Sequence, residues 1–531
     1  MKQTSLFALP IILLVASCSS FNHDYKVNKI NGTKDEVVII NNQEQEIVFD
    51  VWDGTVATAF ASGTGTIDDP YIINNAKELA YLRTSLALKS YFQNKYIRLE
   101  ANIDLNNLSW LGIGGGTSAK AFKGYFDGNN KIIKNINMNV TSERKGFFNS
   151  NSGIINNLNL EGNLTGGTEG STCYGLFAGI NYGNITDCTS KGNVNITGNY
   201  VGGFIGCNSG GTIRNCSYLD GSTFGTNCVG GIIGYNMASS GVIGSLDNCK
   251  NYGTIKAKDY PNQNYSGLGG IIGTCGSGAT INGCINYGNV IGEGQALGGT
   301  GGIIGNNFNT SITNSTNEGL IVGSEKVAGI AGHARNASLI SNCLNKGHIC
   351  GDIAVAGISG YNRAHVEECE NQGEIEADQH RISYWVGGIV GMLGSNLTLT
   401  QCVNKGFVHG LGSASGGVGG IVGSNYASTI SECTNQGLVQ GLYRVGGILG
   451  YSQTATGYVL TCVNEGDFKS IATFGTISLG GIVGYNQATV IGCTNYGHYI
   501  IGDDISIEMY GYIIGYDMAG ETKVYLNTNN A

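Results

Sequence analysis

From about residue 146 to the end of the chain, apolar residues arrive in short runs broken by glycine, with no 3.6-residue period running through them. The commonest run is apolar-Gly-Gly-apolar-apolar-Gly. It stands at 201–206, 229–234, 268–273, 301–305, 386–391, 418–423, 445–450 and 479–484, with looser copies at 175–179, 327–332, 355–360 and 511–515. The second glycine recurs every 27 to 39 residues, from Gly203 through Gly231, Gly270, Gly302, Gly329, Gly357, Gly388, Gly420 and Gly447 to Gly481. That interval holds one supersecondary unit.

A second pattern, Cys-x-Asn-x-Gly, follows each run. Its first column is Cys188, Cys216, Cys249, Cys284, Ser315, Cys343, Cys369, Cys402, Cys433, Cys462 and Cys493. Its asparagines are Asn251, Asn286, Asn317, Asn345, Asn371, Asn404, Asn435, Asn464 and Asn495. Units this short and glycine-broken cannot form paired helices. Three short strands per unit are predicted instead: the glycine run, the strand entering the cysteine, and a third such as Leu438-Val439-Gln440. Coils stacked about 4.8 Å apart pair each strand with its own copies, so about 13 coils make a rod of about 60 Å. The predicted fold is an all-β parallel β-solenoid.

The columns have physical reasons. Glycine supplies unusual φ at corners or allows close backbone approach. Asparagine tolerates the left-handed region and can bond identical amides above and below. Cysteine is a small buried hydrophobe for which serine at Ser315 is nearly isosteric. With Cys18 set aside, fifteen of the 16 cysteines remain, an odd number, so at least one is unpaired. The ladder thiols are expected reduced, because parallel Cβ vectors disfavour the bond between neighbours in a column. Cys173 and Cys228 should share another column, two coils apart.

Ahead of the repeats, a helix is predicted over 75–89, with Ala76, Leu79, Leu82 and Leu86 on one side, as an N-terminal cap on the first coils. Residues 59–145 form this cap and the first coils, and 146–531 the repeats with a C-terminal cap. Residues 1–17 have the layout of a secretory signal, with Lys2, an apolar stretch from Leu6 to Ala16, and small residues before Cys18. Leu14 to Cys18 looks like a lipobox, so Cys18 is expected to be the lipidated first residue, with 18–58 a polar tether. Ser19 after that cysteine implies, by the sorting rule of such lipoproteins, an outer-membrane anchor, and from it a place at the cell surface.

The segments 63–73, 96–99, 102–105 and 122–129, together with the Gly-Gly-Ile-Ile-Gly and Cys-x-Asn-x-Gly columns, resemble bacterial surface proteins carrying GLUG repeats. The resemblance covers roughly residues 60–516. It implies a right-handed β-helix, the sense that parallel crossovers also favour. Such repeats occur in adhesins, in surface lipoproteins and beside peptidase domains.

Composition narrows the chemistry. Glycine is abundant at 87 residues, but with 3 prolines and 13% charged residues the chain has the make-up of a folded protein. A net charge of −9 without basic runs argues against nucleic acid. The histidines His23, His333, His348, His365, His380, His409 and His498 contain no His-Glu-x-x-His pair, and His365-Val366-Glu367-Glu368-Cys369 is read as a strand leading into a structural cysteine. No cofactor or metal is called for. Asp503-Asp504 and Glu367-Glu368 read as solvated acids, since neighbours on a strand point to opposite faces. Tyr235, Tyr361, Tyr451, Tyr485 and Tyr516 recur after the glycine run, and Tyr252, Tyr287 and Tyr496 in the asparagine turn. Rings in such columns either pack turns or present faces to sugar or protein. The sequence therefore reads as a non-enzymatic surface or envelope scaffold for adhesion, or for glycan or host-protein binding. The other reading is a polysaccharide lyase or hydrolase with catalytic residues on loops 256–266 or 378–384.

Overall fold

The structure is a computed structural model. It describes residues 37–40 and 43–530 apart from 141–143, 169, 171, 238–243, 259–265, 277, 294–297, 337–338, 378–384, 411–415, 473–476, 501–508, 519–523 and 526. Cys18, the signal-like segment and His23 lie outside the described residues, as do His380, Asp503-Asp504 and most of the loops 256–266 and 378–384.

The coil from 417 to 441 shows the construction. Gly417–Gly419 belongs to one sheet, Val422–Ser431 to a second, and Thr434–Asn435 with Val439–Gly441 to a third. Every one of these strands pairs in parallel with its counterparts in the coils before and after: Val418 lies opposite Val386 and Val445, and Asn435 opposite Asn404 and Asn464. Repetition of this unit yields a right-handed parallel β-solenoid of about 13 turns.

The glycine run is not one strand. It is a corner: its first two residues lie in one sheet, its last two in the next, and the middle pair bends between them. Glycine is required there because the backbone folds back on itself. A Cβ on Gly419 would stand 2.0 Å from the Val422 carbonyl oxygen of its own coil. The residue after the second glycine points inward, so Phe204, Ile232, Ile271, Ile303, Ile330, Ile358, Ile389, Ile421, Ile448 and Ile482 form one fully buried column. Such a column buries apolar area continuously along the rod, which no single coil could do.

The solenoid begins ahead of residue 59. Phe49–Val51 pairs in parallel with Asn102–Asp104, and Trp52 is buried edge-on against Trp110 at 5.8 Å, so the end of the expected tether is the first strand of the rod. The predicted helix is observed as Ala76–Ser85. Asn75 Oδ1 accepts from the Glu78 amide at 3.0 Å, and Glu78 Oε2 accepts from the Asn74 amide at 2.7 Å, a reciprocal cap. Ala76, Leu79, Leu82 and Leu86 are all buried in the continuous core. Among the described residues no helix is long and apolar enough to cross a membrane.

Candidate functional site

The two sequence motifs meet inside the rod. Asn251 Nδ2 donates to Asn286 Oδ1 at 2.8 Å, and the chain of amides continues through Asn317, Asn345, Asn371, Asn404, Asn435, Asn464 and Asn495 at 2.8–2.9 Å. The second Nδ2 hydrogen of each goes to the carbonyl of the glycine two residues on, as from Asn404 to Gly406 at 2.9 Å. Each amide lies against the second glycine of the corner run. A Cβ on Gly388 would stand 2.4 Å from Asn404 Cγ and 2.1 Å from the Gly420 carbonyl oxygen. Close approach, rather than φ, is what these glycines provide.

The left-handed position is not the asparagine either. It is the residue before the cysteine, as at Asn215, Asn248, Asn342, Glu432 and Thr461, all with φ between 49° and 54°. The ladder asparagines are strand residues. The ladder thiols are free and buried. Each lies beside the carbonyl two residues earlier, as from Cys249 Sγ to Asp247 O at 3.3 Å, and Ser315 Oγ repeats that bond to Thr313 O at 2.9 Å. Burial pushes the thiols of Cys216, Cys249, Cys284 and Cys343 well above the usual range, which makes them poor nucleophiles.

Two interior features were missed in the sequence. A second amide ladder joins Asn151, Asn181, Asn208 and Asn236 at 2.8–2.9 Å, at the corner after the glycine run. Its signal was an asparagine two residues beyond the run's last glycine, as at Asn181, Asn208 and Asn236. Cys173, in the same column as Tyr200 and Cys228, forms a disulfide with Cys207 of the next coil, with Cα atoms 5.1 Å apart. These partners come from different columns, so column spacing alone could not pair them.

The outer face of the second sheet carries the recurring rings. Tyr451, Tyr485 and Tyr516 lie in register on consecutive coils, with centroids 5.4 and 5.0 Å apart. The Arg444 guanidinium lies 4.2 Å from the Tyr451 ring centre and 4.7 Å from that of Tyr485. At another corner Tyr252 and Tyr287 stack at 4.7 Å and are 44% and 37% exposed, and Tyr496 is 47% exposed. These rings pack on one another while keeping a face or edge to solvent. Farther back, His333 is buried beside Tyr361, and its Nδ1 accepts from Arg335 Nε at 3.2 Å. Burial first, then Arg335, Lys326 and Arg363, pushes its pKa down to about 3.

His365, Glu367 and Cys369 do not converge. His365 and Glu367 face outward, with His365 Nδ1 2.8 Å from Thr398 Oγ1, while Cys369 points into the core. Among the described residues, one set of His, Cys and acidic side chains does come together: His348, Cys350 and Glu376. Glu376 comes from the coil after the other two, which is why spacing along the chain did not show the set.

The fold and its interior columns define the class, a parallel β-solenoid of stacked, repeated coils. The GLUG motif model matches residues 170–195 and 197–217. The chain is also similar to Halomucin of Haloquadratum walsbyi, at 28% identity over 198 residues, 35% of this chain. It spans about 2% of the length of that relative. A crystal structure of a candidate immunoglobulin A1 protease from Bacteroides ovatus aligns over 89% of this chain and 87% of its own, at 14% identity and a TM-score of 0.24, too low to carry an argument.

Proposed function

We infer that this chain is a non-enzymatic scaffold of a cell surface or envelope, held by a lipid at Cys18, that binds glycan or a host protein along the outer face of its second sheet. The observation that carries the reading is the register-locked row Tyr451, Tyr485 and Tyr516 with Arg444 against two of its rings. Aromatic faces held rigidly at strand spacing offer contact area at low entropic cost, and sugar rings and side chains both stack on them. The ladder thiols are buried in the core, and burial raises those of Cys216, Cys249, Cys284 and Cys343, so they supply structure rather than nucleophiles.

The test is a binding screen of the purified chain against glycans and matrix proteins, repeated with the Tyr451→Ala/Tyr485→Ala double variant. A ligand whose affinity falls by roughly tenfold or more in the variant is expected. Turnover of a polymer by the chain, or a screen without any ligand, overturns the reading.

A further inference from the structure

We propose that His348, Cys350 and Glu376 form a binding site for a borderline-soft divalent transition-metal ion, zinc above all, that bridges two neighbouring coils. The site follows from strand geometry. Ile349, between His348 and Cys350 in the strand region Ile349–Gly351, points into the core, so the residues flanking it both lie on the opposite side of the strand, where His348 is partly exposed and Cys350 is covered. On the next coil Glu376 lies in register with Cys350 and is flanked by the buried Ile375 and Ala377, so it points outward at the same place. The stacking interval of a solenoid then sets three different donors, an imidazole nitrogen, a thiol sulfur and a carboxylate oxygen, around one point.

The distances fit an ion. His348 Nε2 is 3.4 Å from Cys350 Sγ and 3.3 Å from Glu376 Oε2, and Cys350 Sγ is 3.9 Å from Glu376 Oε2. Zinc bonds of about 2.0–2.3 Å at tetrahedral angles give ligand-to-ligand edges of roughly 3.3–3.6 Å. Two of the three edges match without movement, and the third closes by a small side-chain rotation. A nitrogen, sulfur and oxygen set favours zinc over calcium or magnesium, which take oxygen alone. On binding, Cys350 gives its proton to solvent and the thiolate bonds the metal. Thiolate and carboxylate together balance the two positive charges, with His348 neutral. The His348 side chain is 34% exposed and that of Glu376 16%, whereas Cys350 is buried, so an ion enters from the His348 side.

A plain ion pair between His348 and Glu376 is the competing account, and Cys350 separates the two. The purified full chain is titrated with Zn2+ and with Co2+, whose thiolate complex gives a sulfur-to-metal charge-transfer band. One bound equivalent with that band is expected, together with a metal-dependent rise in Tm. Cys350→Ser should abolish the band and weaken zinc binding by at least about a hundredfold. A readout on the unmutated chain stands beside it: in urea just below the unfolding midpoint, where the buried Cys350 becomes reactive, saturating Zn2+ should slow its alkylation more than that of the ladder thiols, mapped by peptide mass spectrometry. A band that survives in both Cys350→Ser and His348→Ala, or Cys350 alkylation indifferent to Zn2+, overturns the site.

Discussion

A single ladder asparagine carries three polar obligations. Asn404 accepts from Asn371, donates to Asn435 and donates to the Gly406 carbonyl, each at 2.8–2.9 Å and away from water. Asn404→Ala leaves those partners buried and unpaired, and a loss of about 3 kcal/mol in denaturant unfolding is expected. His333 makes stability depend on pH. The folded chain keeps it neutral down to about pH 3, whereas the unfolded chain takes up that proton below about 6.5. Between those values the unfolded state binds more protons. Its contribution is therefore fully present above the window and is lost as pH falls through it. His333→Gln should flatten that part of the stability profile, read by urea unfolding inside and above the window. Arg335, Lys326 and Arg363 are the cations that act on it.

At the scale of the element, the corner explains why the glycine run recurs with so little variation. Gly388 has a carbonyl and an amide within 2.4 Å of where a Cβ would be, and both belong to neighbours that are themselves locked. Gly388→Ala is expected to cost about 3 kcal/mol, because the backbone of two coils must part. Gly292 is the contrast: its nearest neighbours to a Cβ stand at 3.5 Å, and Gly292→Ala should change stability by less than about 0.5 kcal/mol. The pair is compared by thermal or urea unfolding. A similar cost at both sites would mean that close approach is not what glycine provides at the corner.

Across the whole molecule, contacts run between adjacent coils, so stability sums over nearest neighbours along one axis. The helix Ala76–Ser85, whose apolar residues join the core of the first coils, lies near one end, and the strand Thr528–Asn529, paired with Thr494–Asn495, closes the other. Hydrogen exchange should therefore show the slowest amides in the middle coils, such as those of Ile389 and Ile421, with protection falling toward the last coil. Uniform protection from end to end would mean that the rod opens only as one unit.

Periodicity alone made the stacked, parallel β architecture legible, because a residue type that returns once per coil occupies the same place in every coil, as Ile389 and Ile421 do. It also marked the buried cysteine corner, since Ser315 standing for cysteine shows that small size is what the position demands. What distance along the chain cannot express was decided by the tertiary structure. The glycine run proved a corner because its function is to admit the asparagine of a different motif, Gly388 against Asn404. The left-handed residue fell one place before the cysteine, where the chain turns between sheets. Cys173 found Cys207, and His348 and Cys350 found Glu376, because stacking brings together residues of successive coils that are distant in sequence and close only once the rod is wound.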